Sequence, residues 1–378
     1  MTQVLDPLTA AKTCINFKIY GSVILALLFA ITALVLPKQK VFYKLEILFN
    51  RVARKREKAV LLVGLIAFLS TAAVSFIFYW PTPSIQDEFA YLLAADTFAH
   101  GRLTNPAHSM WVHLETFHVL HQPTYAAKYP PGQGLFLALG QVLTGYPVVG
   151  LWLSMALACA VTCWMLQAWL PPRWALLGSL LMLLRLGLFS YWGQSYWGGA
   201  IATVGGALVF GALRRIIKRQ GFTNTILFGL GLAILANTRP YEGFIVGFIA
   251  SLFMFIELRK KLIPIKVLVQ QVALPLGILL AIVAAMMAYY NWSITGNALY
   301  FPYQAYEAAY GNIPNFLWAK ASPNVTYNHE EIRKLFQIDY WNTYISWKNY
   351  GGFIFTGFLP YHLLHCLSYL KTIGYVSL

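Results

Sequence analysis

Apolar runs close to the roughly 17–25 residues that a spanning helix needs recur along this 378-residue chain and leave little room for anything else. They lie at 19–36, 59–80, 148–170, 174–190, 198–213, 223–237, 243–257, 267–290 and 353–370. Apolar residues make up 58% of the chain and the mean hydropathy is +0.59. A soluble domain holds about 45–50%. The reading is an all-α, polytopic transmembrane bundle of about nine spans, folded as one membrane-embedded unit. No internal repeat and no coiled-coil heptad is visible in the sequence.

A net charge of +15 would suit a nucleic-acid binder, but its placement argues otherwise. Four clusters hold 17 of the 28 Lys and Arg: Lys38 to Lys58, Arg173, Arg214 to Arg219, and Arg259 to Lys266. Only Glu46, Glu57 and Glu257 offset them there. Short basic loops between apolar runs are the positive-inside signal, so these loops are expected in the cytoplasm. The charge orients the chain and selects no nucleic acid. Cys14, Cys159, Cys163 and Cys366 lie in or beside apolar runs and read as buried, inert thiols.

With those loops inside, the run 19–36 reads as a retained helix with its N-terminus outside, and 59–80 crosses outward. The expected domains are an extra helix and basic loop at 1–58, a core at 59–290 with an outer loop at 81–147, and a last region at 291–378. The outer loop is polar and carries His100, His108, His113, His118 and His121 of the eight histidines. Asp87 to Phe98 reads as a short helix ended by Gly101, and Asn105-Pro106 and Gln122-Pro123 mark turns. Residues 133–147 are too short for a crossing, and a crossing there would place Arg173 and Arg214 to Arg219 outside. They are therefore expected as a juxtamembrane or re-entrant helix, opened by Tyr129-Pro130-Pro131-Gly132.

This topology gathers the unusual residues on the outer face: Asp87-Glu88, the histidines, Lys128, the turn at 191–199, and Arg239 with Glu242. Arg185 lies about a turn below. Ionisable groups at membrane depth are expensive and usually face a cavity and a partner. Each also has a structural reading. Asp87 and Glu88 suit the positive end of a helix, and Lys128 and Arg185 could snorkel. Arg239 and Glu242 could close a helix hairpin as an ion pair, and the aromatics at 191–199 could form an interfacial belt. His118 and His121 have a spacing that can serve a metal but often does not. Asn291-Trp-Ser and Asn324-Val-Thr match glycosylation acceptors, a short motif that also arises by chance.

An Asp-Glu pair after an early helix, a long first outer loop and Lys128-Tyr129-Pro130-Pro131-Gly132 together resemble the GT-C membrane glycosyltransferases, nearest the protein O-mannosyltransferase and aminoarabinose transferase branch. The likeness covers roughly residues 59–260. The chain departs from it in the extra helix at 19–36 and in Tyr129 between lysine and prolines. No large outer domain follows, so 291–378 is expected to bind acceptor differently or to be a truncated C-terminal region.

The resemblance implies transfer of a sugar from a polyprenyl-phosphate donor to a hydroxyl of a glycan, lipid or protein acceptor, with inversion, at the outer face of a bacterial inner membrane. Asp87 would act as general base, with Glu88 beside it orienting the acceptor or holding a metal. Lys128, Arg239 and Arg185 would bind the donor phosphate. Tyr91, Tyr129, Tyr196, Trp197 and Glu242 would contact substrate. The family leaves a divalent cation open, and His118 and His121 are the candidate ligands. Two rival readings are a secondary transporter of an anionic solute or lipid, and a non-catalytic subunit of an envelope-polymer assembly. Charges confined to one face and the lack of a repeat count against transport.

Overall fold

The computed structural model describes residues 40–188, 190–261, 263–313 and 325–349. The expected runs 19–36 and 353–370, with Cys14, Asn324 and Cys366, lie outside the described residues. The chain divides into two compact units, one of residues 1–103 and 130–289, the other of 104–129 and 290–378.

The first unit is helical. Its elements are α1 (Lys40–Arg54), α2 (Arg56–Ile77), α3 (Gln86–Ala99), α4 (Pro131–Thr144) and α5 (Pro147–Trp169). Then come α6 (172–188, whose last turns, Leu183–Leu188, are π-helical), α7 (Gly199–Lys218), α8 (Phe222–Ala236) and α9 (Pro240–Lys260). The helix α10 (Ile265–Thr295) follows, and the boundary between the units falls inside it. Among the described residues five helices are long and apolar enough to cross a membrane: α2, α5, α7, α9 and α10. They make this a membrane-spanning chain. The expected run 223–237 is the shorter apolar helix α8.

The long helices pack through small residues. Ala59, Val63 and Ala67 of α2 meet Met155, Ala158, Cys159 and Cys163 of α5, and Val204 of α7 joins the same cluster. Where hydrocarbon outside is as apolar as a side chain, close packing of this kind and interhelical hydrogen bonds hold helices together. One such network is buried beside the cluster. Trp152 Nε1 donates to Ser75 Oγ (3.0 Å), Ser75 Oγ to Gln194 Oε1 (2.7 Å), and Gln194 Nε2 to the carbonyl of Thr71 (3.0 Å).

The basic residues collect at one end of this bundle. Gln167 donates to the carbonyl of Arg56, Arg215 to that of Trp164, Lys218 to that of Ala168, and Lys261 to that of Ile217. The expected juxtamembrane helix is the 14-residue α4. Its first turn meets the α8–α9 turn, where the amide of Gly132 donates to the carbonyl of Asn237 (2.8 Å). Beyond its other end, Tyr146 packs edge-on against Trp80, just past the end of α2. Both ends therefore lie opposite the basic end. From there α4 folds back on α5 at a tight crossing, where a Cβ on Gly140 would come 2.1 Å from the backbone nitrogen of Gly150.

The second unit adds a few short strands to a chain that is otherwise helical. Strands β1 (Asn105–Pro106), β2 (Val119–Leu120) and β3 (Thr124–Ala127) form a small antiparallel sheet in the order β1-β3-β2. Segment 104–129 thus groups with the chain from Tyr290 onward and leaves the 59–290 core. Polar contacts hold it there. Thr124 Oγ1 donates to the carbonyl of Ile294 (3.0 Å), and the amide of His118 donates to the Tyr306 hydroxyl (3.0 Å). Tyr310 donates to Glu115 (2.8 Å). The unit is completed by α11 (Pro302–Tyr310) and by α12 (330–349), which carries a π-helical stretch at Lys334–Tyr340. Tyr306, fully buried on α11, sits among Tyr310, Phe336 and His118.

Candidate functional site

The two adjacent carboxylates that open α3 occupy different surroundings. Glu88 is 1% exposed. Its Oε2 accepts from the amide of Ser84 (2.9 Å), the Ser84 hydroxyl (3.2 Å) and the amide of Ile85 (3.2 Å). Its Oε1 accepts from the amide of Tyr196 (2.8 Å). A glutamate at the third helical position that reaches back to the residue before the helix satisfies amides the helix itself cannot. Four donors engage its two oxygens. The side chain thereby fixes the start of α3 to the 191–199 turn. Asp87, one residue earlier, is half-buried.

The turn at 191–199 is pinned from several sides. Gln133 Nε2 of α4 donates to the carbonyl of Tyr196 (3.0 Å), so both backbone groups of that residue are held by buried side chains. The Tyr196 hydroxyl donates to the carbonyl of Pro81 (3.1 Å). Burial, with the charge of Glu88 adding, pushes that phenol up to about 12. Tyr196 is 4% exposed, so it braces the turn and presents no stacking face. Trp197 is partly exposed and stands in an aromatic cluster with Tyr191 (5.9 Å) and Trp192 (5.7 Å between centroids).

Tyr91, one turn after Asp87, gathers the remaining charges. Burial raises its phenol above the ordinary value; Arg239 opposes this, and Asp87 and Glu242 add to it. Asp87, Arg239 and Glu242 therefore lie within electrostatic reach of Tyr91. Arg239 immediately precedes α9 and is positioned by the contact of Gly132 with Asn237. A Cβ on Gly132 would fall 2.5 Å from Thr238 Cγ2, so that approach requires glycine. Arg239 lies 3.9 Å from Glu242, and both side chains are at least a third exposed. Such a pair holds loosely. Arg185, the other expected phosphate ligand of this unit, is exposed on the π-helical end of α6.

Lys128, Tyr129, His118 and His121 belong to the second unit. Lys128 is 2% exposed and 3.7 Å from Glu307. Its ammonium stands over the rings of Tyr306 (4.3 Å), Tyr303 (5.1 Å) and Tyr129 (5.4 Å), a cation–π enclosure. Burial raises the Glu307 carboxyl, opposed by Lys128 and by a hydrogen bond from Tyr303. His121 Nε2 accepts from the amide of Thr116 (3.2 Å), and burial lowers its basicity. Among the described residues no group of three or more His, Cys, Asp or Glu is placed to hold a metal ion, so His118 and His121 gain no third ligand.

Gln133, Gln194 and Glu307 were not singled out from the sequence. The two glutamines sit in or beside apolar runs, where an amide must find a partner. Glu307 is one of only 13 acidic residues in the chain, and that scarcity was its one signal. No protein-family model, no curated protein and no solved structure matches the chain, so the site itself has to carry any functional reading.

Proposed function

We propose that the chain is an integral-membrane glycosyltransferase that moves a sugar from a polyprenyl-phosphate donor to an acceptor hydroxyl, with inversion. Asp87 is the general base. The observation that carries this reading is the unequal use of the carboxylate pair. Glu88 is consumed in fixing the helix start, while Asp87 stays half-buried beside Tyr91, Arg239 and Glu242.

A lipid phosphate is a fair leaving group, so the protein has to supply a base for the acceptor hydroxyl and a cation for the departing phosphate. Asp87 takes the hydroxyl proton as the oxygen attacks the anomeric carbon; the bond from that carbon to the phosphate oxygen breaks on the opposite face. Arg239, loosely paired with Glu242, receives the phosphate charge. Partly buried Trp197 and the rim of the 191–199 turn contact the sugar. Glu88 and Gln133 are positioning residues that act through the turn. The membrane is a bacterial inner membrane and the locus lies on its outer face, opposite the basic end of the bundle.

The test is Asp87→Asn in the full chain, assayed in membranes for transfer of labelled sugar from polyprenyl-phosphate donors to hydroxyl acceptors. The amide preserves shape and removes the base, so transfer falls by about 10²–10⁴-fold while expression and membrane insertion hold. Full transfer by this variant would remove Asp87 from the mechanism.

A further inference from the structure

An apolar groove lies beneath α1, at the basic end of the bundle. The helix α1 is amphipathic: Leu45, Leu48, Phe49 and Val52 recur at helical spacing on one face, and it packs on α6 and α2. These four side chains, with Leu62, Val63 and Ile66 of α2 and Leu176, Leu177 and Leu180 of α6, line an apolar cavity of about 580 Å³. That is within the roughly 300–1,000 Å³ of small-molecule pockets. Its lining is apolar save for Glu46. Leu45 and Leu48 at its edge are more than half exposed.

The rim is cationic. Between residues 43 and 58 lie Lys44, Arg51, Arg54, Lys55, Arg56 and Lys58, against Glu46 and Glu57. All eight of these charged residues are exposed. Among the described residues none of the six cations is in an ion pair. Lys44 and Arg51, seven positions apart, share one flank of α1 beside the cavity face, and Glu46 falls on the other. Arg56 also lies within electrostatic reach of Arg215, so like charges crowd at this end.

We propose that α1 and the groove beneath it bind one anionic glycerophospholipid. An acyl chain lies among Leu48, Val52, Ile66 and Leu177, and the headgroup phosphate sits between Lys44, Arg51 and Lys55. The apolar groove asks for a hydrocarbon chain, and the exposed cations at its rim ask for an anion; a free phosphate supplies only the second. Basic residues beside an interfacial helix select anionic lipid in this way. The site is independent of sugar transfer, and either reading can fail alone.

Native mass spectrometry of the full chain, released from detergent micelles doped with phosphatidylglycerol or phosphatidylcholine, tests it. The expected result is one phosphatidylglycerol retained in preference to phosphatidylcholine. Lys44→Ala/Arg51→Ala/Lys55→Ala weakens this by about fivefold per charge removed. Leu48→Trp, which fills the groove and leaves every charge in place, weakens it as well; it also serves if the triple variant fails to fold. Equal retention of both lipids, or loss in the charge variant but not in Leu48→Trp, overturns the site. So does competition by inorganic phosphate, or a crosslink from position 48 to residues 19–36 showing that the chain covers its own groove.

Discussion

Glu88 of the first unit and Glu307 of the second are both carboxylates taken out of water, and their neighbours satisfy them by different means. Glu88 is met by three backbone amides and a hydroxyl, short-range dipoles already fixed by the fold. Glu307 is met by one ammonium, 3.7 Å away and itself buried under three tyrosine rings, and by a hydrogen bond from Tyr303. Hydrogen bonds from several donors stabilise a charge where it stands. A single buried counter-ion has also lost its water, and the joint desolvation cost can exceed the attraction. The raised Glu307 carboxyl shows burial winning over Lys128. So the first carboxylate makes a rigid frame for Asp87, and the second makes a pair that either partner's loss will upset.

The largest effect should come from splitting that pair. Lys128→Met strands Glu307 among tyrosines and should cost the second unit about 3 kcal/mol at alkaline pH, read by amide exchange across 104–129 and α11. Adding Glu307→Leu should recover most of it, because apolar pairs of similar volume replace buried ion pairs at little cost. If the double variant is as unstable as the single one, Lys128 and Glu307 are worth more together than desolvation allows. Glu88→Gln comes next. It keeps the volume but sets an amide NH₂ against backbone donors, at about 2 kcal/mol. It should loosen the 191–199 turn and, on the proposed function, slow sugar transfer with Asp87 intact. A variant with unchanged exchange at Tyr196 would mean that Glu88 does not hold the turn.

The same contrast explains what the sequence made legible. The helix expected at Asp87–Phe98 is Gln86–Ala99, because its signals are all local: acidic residues at its start, apolar spacing, and Gly101 after its end. The short helix α4 (Pro131–Thr144) is legible through its length, which falls below that of a crossing. Glu88's neighbour in sequence marked the pair but not its division, which depends on Tyr196 far along the chain. The sheet of the second unit was hidden because strands of two and four residues are too short for alternation to show. The grouping of 104–129 with α11 was hidden for another reason. It rests on single contacts such as His118 with Tyr306 and Lys128 with Glu307, and nothing periodic announces them.

The smallest expected effect is a pH dependence confined to the second unit. Its sign follows from the direction of the Glu307 shift. A carboxyl whose folded value lies above its unfolded one, about 4.3, binds its proton more tightly when folded. Its contribution to stability is therefore fully present below the unfolded value and is lost as pH rises through the folded one. The facing groups are Lys128 and the phenols of Tyr303 and Tyr306. The slope is at most about 1.4 kcal/mol per pH unit for one proton. Amide exchange across α11, followed from pH 4 to pH 8, should show protection falling as pH rises. Glu307→Gln, uncharged throughout, should flatten the curve. A slope of opposite sign would mean that Lys128 stabilises the ionised carboxylate more than burial penalises it.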